Sequence, residues 1–364
     1  MKILYLTNHL NIGGITSYVL TLASGMKKRG HDIHVASSGG ELLGSLMEKD
    51  IAYLPIPIKT KSEISYKVLL SRLRLSAYLK EKEIDIVHAN TRVTQVLGCI
   101  TGKPYISTCH GFFQNRLSRR LFPCWGRRVI AISEPVKEHL VRDLGARQED
   151  ITVIHNGIDV DRFGKCGQGA GPELKKKMGL KDGPVVGIIA RLSEEKGHIY
   201  LIEAMRDVIA RIPAAQLLIV GEGKKKEKLT ELVKEKGLDK SVLFIPAVMD
   251  TREALSVMDI FVLPSLKEGL GLALMEAMAS GVAVIGSDVG GIRSLIKDQD
   301  TGLLFAAGDS GGLAEAISEL LWNPDKAKIL GTNARSFIDR DFSQEKMVIE
   351  TERVYLQCLK NVNS

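Results

Sequence analysis

Short runs of β-branched and aliphatic residues alternate along the chain with longer stretches whose apolar positions recur every three or four residues. The short runs predict strands at Ile3–Thr7, Ile33–Ala36, Asp85–Ala89, Tyr105–Cys109, Val129–Ile132 and Ile151–Ile154. The longer ones predict helices over Ile15–Arg29, Val68–Lys82 and Glu134–Asp143. Such alternation builds parallel β-α-β units with right-handed crossovers. The pattern pauses near residues 164–183, where Gly164, Gly167, Gly169, Gly171 and Pro172 read as a linker. It then restarts, with strands at Val185–Ala190, Gln216–Val220, Val242–Ile245, Ile260–Leu263 and Val282–Ile285. Helices are expected at Ile199–Arg211, Lys225–Lys236, Leu272–Ala279 and Ser343–Leu359. The expected fold class is therefore α/β, with two Rossmann-like domains over residues 1–163 and 184–342. A C-terminal helix within 343–364 would pack back on the first domain.

The length of 364 residues suits two cores better than one. A hydrophobic share of 45% beside 26% charged residues fits a globular chain, and no apolar run reaches the ~18 residues of a membrane span. The opening Met1-Lys2-Ile3-Leu4-Tyr5-Leu6-Thr7-Asn8 turns polar too soon for a signal peptide and reads as a first strand. Five cysteines match neither a zinc site nor a disulfide framework. Free thiols suit a reducing compartment, so the expectation is cytoplasmic. The net charge of +7 is uneven: residues 1–163 carry 23 Lys and Arg against 15 acidic residues, and the remainder is nearly neutral. That asymmetry suggests an anionic partner for the first half.

In paired doubly wound domains, ligands sit beyond the carboxyl ends of the strands. Several unusual residues fall there. Gly13-Gly14 follows the first strand and opens a helix, where backbone N–H groups can meet an anion; a tight turn explains the pair equally well. His110 ends another strand, where it either faces a ligand or simply packs. Arg191 and Lys196 lie between a strand and a helix, although the dipole of a helix start disfavours cations. A bound phosphate would reconcile them with that position, and pairing with Glu194 and Glu195 is the alternative. The richest segment runs from Pro264 to Gly281. A glycine-rich loop, Glu268-Gly269-Leu270-Gly271-Leu272, can present N–H groups to a diphosphate. Glu276 interrupts the apolar face of Leu272, Met275 and Ala279, so its carboxylate needs a partner, which ribose hydroxyls would supply.

At this segment the sequence strongly resembles the retaining GT-B glycosyltransferases of family 4. The resemblance spans nearly the whole chain. It includes Gly13-Gly14, His110-Gly111, Asn156-Gly157-Ile158-Asp159, Arg191 with Glu195-Lys196-Gly197, and an E-x7-E pair formed by Glu268 and Glu276. Ala279-Ser280-Gly281 and Ser287-Asp288-Val289-Gly290-Gly291 follow as the family pattern requires. The resemblance implies that Arg191 and Lys196 bind a donor diphosphate and that Glu276 binds the ribose. Glu268 with Gly269, Leu270, Gly271 and Leu272 would hold the sugar and distal phosphate. His110 would contact the transferred sugar, and Gly13-Gly14 would close over the reaction centre. The implied donor is a nucleotide-diphosphate sugar, UDP-sugar first and GDP- or ADP-sugar next, with no cofactor and no metal. The acceptor would be a carbohydrate or lipid-linked hydroxyl in polysaccharide, lipopolysaccharide or glycolipid synthesis. Ala190, Pro246 and Ala283 depart from the common pattern; Pro246 removes a backbone donor near the expected base pocket. Asp159-Val160-Asp161 sits in a turn and is not expected to bind metal.

Other classes fit less well. A nucleotide-sugar epimerase of the same fold would need a base near the sugar, and no further acid–base constellation is evident. Nucleic-acid binding, suggested by a pI near 9.0, lacks basic residues interleaved with stacking aromatics. A dehydrogenase would need G-x-G-x-x-G, which is missing. Two basic segments suggest an anionic membrane surface, which would make the protein peripheral on the inner face of the cytoplasmic membrane. One is Arg116, Arg119, Arg120, Arg127 and Arg128, interspersed with Leu117, Leu121, Phe122 and Trp125. The other runs from Lys59 to Lys82 and contains Leu69, Leu70, Leu73 and Leu75. The alternative is that these apolar residues are core and the arginines solvated.

Overall fold

Successive residues of a strand face opposite sides of its sheet, and the first strand feeds two cores in this way. Ile3 and Tyr5 pack in one cluster, while Leu4 and Leu6 pack in another. The computed structural model describes residues 1–60, 62–63, 65–114, 119, 121–164, 172–248 and 250–360. Its first part runs β1 (Lys2–Leu6), α1 (Gly14–Lys28), β2 (Asp32–Ser37), α2 (Leu43–Met47), β3 (Ala52–Pro55) and α3 (Tyr66–Glu81). It continues with β4 (Ile86–Ala89), α4 (Arg92–Cys99), β5 (Tyr105–Cys109), β6 (Arg128–Ala131), α5 (Glu134–Arg142) and β7 (Ile151–Val153). These strands form one parallel sheet in the order β3-β2-β1-β4-β5-β6-β7. Helix α1 covers the Tyr5 face, and α3 and α4 cover the Leu4 face.

The second part opens with α6 (Val160–Phe163), α7 (Pro172–Lys177), β8 (Val185–Ile189), α8 (His198–Arg211), β9 (Gln216–Val220), α9 (Lys226–Glu235) and β10 (Val242–Ile245). Then come α10 (Arg252–Ser256), β11 (Ile260–Leu263), α11 (Leu272–Ala279), β12 (Ala283–Ser287), α12 (Ile292–Leu295), β13 (Leu303–Phe305), α13 (Ser310–Trp322) and α14 (Pro324–Asp341). The strands form a second parallel sheet, β10-β9-β8-β11-β12-β13. Two strands went unpredicted, and both lie at sheet edges. β3 ends in Pro55, which edges tolerate, and β13 has only three residues.

The chain divides into two compact units, Met1–Gly157 with Gln344–Ser364, and Ile158–Ser343. The first expected domain ends at 163, six residues later than this division. The reason is local: the amide of Ile158 donates to the carbonyl of Phe342 (2.9 Å), and α6 packs on α11 and α14. Asp159 caps α6 by accepting from the Arg162 amide at 3.3 Å, and Arg335 donates to the carbonyl of Gly164. Of the expected linker, residues 165–171, including Cys166, lie outside the described residues, and 172–177 form α7. The last helix, α15 (Gln344–Lys360), lies against α1 in the first unit. Glu352 accepts from both Arg29 and His31 at 2.6 Å, and Val348 fills the space over Gly25.

Candidate active site

In the second unit, two strand exits are sewn together. After β8 the chain makes a short turn, Glu194–Lys196, and Gly197 follows with φ +67°. A Cβ on Gly197 would collide with the carbonyl of Pro264, so only glycine allows the turn to lie against the exit of β11. The Leu266 amide then donates to the Glu195 carbonyl at 2.8 Å. This register brings the Lys196 ammonium onto the Glu268 carboxylate, both largely buried. Glu268 also accepts from the Ser265 hydroxyl (3.3 Å) and from its neighbour's amide, Gly269 (3.2 Å). A third segment closes behind it. Gly291 donates to the Glu268 carbonyl (3.0 Å), and side chains at Gly290 or Gly291 would strike the carbonyls of Glu268 and Gly269. Leu270 is buried, Gly271 takes φ +99°, and Leu272 starts α11.

Arg191 stands apart from that contact: it is exposed and pairs with Glu195 at 3.6 Å. Glu276, one turn into α11, accepts from the Thr251 hydroxyl at 2.9 Å. Burial lifts its carboxyl to about 7, opposed by that hydrogen bond and by the nearby Arg162 charge. Asp250, beside Thr251, is clamped by Arg252 at 2.9 Å and approached by Arg162 at 3.4 Å, which lowers its carboxyl to about 2. Sequence reasoning missed Thr251, Asp250 and Arg162. The polar run Asp250-Thr251-Arg252 just past β10 was the available signal.

In the first unit, His110 leaves β5 with Nε2 3.2 Å from Asn90 Oδ1 and its ring edge-on to Tyr18, centroids 4.6 Å apart. Beneath it runs a buried polar chain. The Tyr18 hydroxyl meets Thr108 (3.1 Å), Thr108 meets His88 (2.7 Å), and His88 meets the α15 residue Tyr355 (2.6 Å). Burial lowers both His88 and His110 to about 3, so both rings are neutral at pH 7. Gly13 caps α1, and a Cβ there would meet nothing within 4 Å. The packing of the protein therefore does not itself require glycine at that position.

The arginine cluster is partly absorbed by structure. Arg127 donates to the Cys358 carbonyl (3.2 Å), and Arg128 donates to the Glu149 carbonyl (2.6 Å). Arg119 lies over the Phe113 ring at 4.6 Å. Arg116, Leu117 and Arg120 lie outside the described residues. Among the described residues no cluster of metal-ligating side chains occurs, and Cys99, Cys109, Cys124 and Cys358 are free thiols.

Comparison with known proteins meets this geometry. The glycosyltransferase family 4 model matches residues 12–162, and the glycosyl transferases group 1 model matches residues 171–337. The chain is 26% identical to the N-acetyl-alpha-D-glucosaminyl L-malate synthase of Bacillus anthracis, over 98% of this chain and 97% of that protein. It is 28% identical to the UDP-Gal:alpha-D-GlcNAc-diphosphoundecaprenol alpha-1,3-galactosyltransferase of Escherichia coli, over 91% and 90%. In fold it is similar to Anabaena Alr3699/HepE, solved with UDP and glucose: TM-score 0.86 at 22% identity, covering 98% of this chain and all of that one. One family model lies over the first sheet and its partner model over the second, so the chain belongs to the group 1, family 4 glycosyltransferases of the GT-B fold.

Proposed function

We propose that the protein transfers a sugar from a nucleotide-diphosphate sugar to an acceptor hydroxyl with retention of anomeric configuration and without a metal. The observation that carries this reading is the Lys196–Glu268 pair, set where β8 and β11 end and where α11 begins. A donor diphosphate at that helix start would draw Lys196 from Glu268 and add Arg191, whose exposed guanidinium can swing from Glu195. Glu268, relieved of the lysine, would accept from sugar hydroxyls, with Gly269, Leu270, Gly271 and Leu272 lining the loop. Glu276 has one oxygen engaged by Thr251 and would take the ribose hydroxyls with the other. In the first unit, neutral His110 would meet the transferred sugar, and the space over Gly13, beside Gly14, would admit it. Charge developing on the leaving diphosphate is then stabilised by fixed cations and amides. The same phosphate assists removal of the acceptor proton.

UDP is the favoured nucleotide because the similar Anabaena protein was solved with UDP-glucose, with GDP and ADP as the other candidates. A carbohydrate or lipid-linked acceptor is supported by the Escherichia coli relative, whose name gives a diphosphoundecaprenol acceptor. Such work would place the protein in the cytoplasm, at the inner face of the membrane. Calorimetric titration tests the donor reading. Glu276→Ala should weaken binding of UDP itself, whereas Glu268→Ala should spare UDP and weaken binding of the complete donor. Equal losses for UDP alone in both variants would remove the division of roles. Transfer should also survive added chelator.

A further inference from the structure

Helix α3 has two apolar stripes, and its own unit covers only one of them. Ser65 caps the helix by accepting from the Lys67 amide. On the inner side Val68, Leu75 and Leu79 are buried in the cluster that contains Leu4 and Leu6. On the outer side Tyr66, Leu69, Leu70 and Leu73 recur at helical spacing and stand 46–70% exposed. A solvated helix of a globular unit shows one apolar face, and a second one marks a surface that meets something else.

A second apolar element is fixed to the same end of the helix. Phe122 is 70% exposed, and its carbonyl accepts from the buried guanidinium of Arg92 at 2.6 Å. The same guanidinium donates to the carboxylate of Glu63, at 3.2 Å, three residues before α3 begins. Phe122 and the start of α3 are thus held by one side chain.

The charges choose the partner. Lys67, Arg72 and Arg74 flank the outer stripe, and Glu81, the last residue of the helix, is its only acidic one. A convex apolar ridge bordered by cations suits an anionic layer that yields to it in depth, rather than a shaped pocket. Among the described residues no helix is long and apolar enough to cross a membrane. We infer that α3, with Phe122, is the face by which this protein lies on an anionic lipid bilayer, its outer leucines in the acyl boundary and its cations among the headgroups. The inference stands on this surface alone and does not depend on the donor site.

Vesicle co-sedimentation tests it, with phosphatidylglycerol mixed into phosphatidylcholine against phosphatidylcholine alone. The full chain should bind the anionic vesicles at low salt and ignore the neutral ones. Arg72→Ser with Arg74→Ser should weaken binding about thirtyfold. Leu69→Ser with Leu70→Ser and Leu73→Ser should abolish it while leaving UDP calorimetry unchanged. In a separate Leu70→Trp variant, emission should shift to the blue on anionic vesicles beyond any shift of the native tryptophans; this readout serves if the triple variant fails to fold. The idea is overturned if the wild type ignores anionic vesicles, if the leucine variant still binds them, or if the new tryptophan emission does not move. A dimer in light scattering that the leucine variant dissolves would also overturn it, in favour of self-association. UDP binding is measured without lipid, so failure of docking and failure of the donor reading are separate results.

Discussion

Glu276 is the residue at which the sequence makes the strongest demand, and the structure answers it in part. A carboxylate on the apolar face of Leu272, Met275 and Ala279 cannot stay charged without partners, and that much is legible from the apolar spacing alone. The polar run Asp250-Thr251-Arg252 is visible in the sequence, but its partner is not, because nothing in the pattern joins Thr251 to a residue 25 positions on. Burial raises the Glu276 carboxyl from 4.5 to about 7, so between these pH values the folded chain holds a proton that the unfolded chain has lost. That contribution to stability is complete below about pH 4.5 and is lost as pH rises through 7. Glu276→Gln keeps the shape and removes the titration. Relative to the variant, the wild type should lose stability between pH 4.5 and 7, by ~3 kcal/mol at most, and the two should run parallel above that. Urea denaturation of both at pH 5 and pH 8 measures the difference; a constant gap would mean that Glu276 is not titrating in this range.

Among the elements, most strands and the helices α1, α3, α5, α8, α9, α11 and α15 are read well from sequence, whereas α13, α14 and one edge strand of each sheet, β3 and β13, are not. β3 is half-exposed and interrupted by Pro55, and β13 is buried but only three residues long, Leu303–Phe305, too short to stand out as a run. Helix α15 was expected from its pattern, but its docking depends on a shape that no pattern states: the notch at Gly25. A Cβ there would run into Cγ2 of Val348. Gly25→Ala should therefore destabilise the protein by about 1–3 kcal/mol despite the better helix propensity of alanine. Val348→Ala removes the opposing methyl groups and should by itself cost about 1 kcal/mol or more. Together the two should cost clearly less than their sum, and thermal denaturation of the four proteins in the cycle gives that coupling. Additive losses would show that α1 and α15 do not meet at this point.

At the scale of the whole molecule, alternation of strand and helix announces two doubly wound units, and the glycine and acidic signals at strand exits locate the candidate site. The place where the chain passes between units is harder to read. The hydrogen bond from the Ile158 amide to the Phe342 carbonyl and the packing of α6 on α11 and α14 are contacts between positions more than a hundred residues apart. No local composition records them, so the sequence sets the first boundary where the glycine-rich stretch begins.

The first unit is built from the two ends of the chain, and this has a consequence for synthesis. A ribosome delivers Ile158–Ser343 as one uninterrupted length, whereas α15, the partner of α1, emerges only after it. The usual order, in which the N-terminal domain folds first, should therefore be reversed. The unit encoded second should close first, while the amino-terminal sheet waits with Tyr355 still unmade and His88 without its hydroxyl. Stalled chains released at residue 343 should yield a protease-resistant fragment from the second unit and rapid cleavage within the first. Release at 364 should protect both. Equal protection at 343 would mean that the first sheet forms without its closing helix.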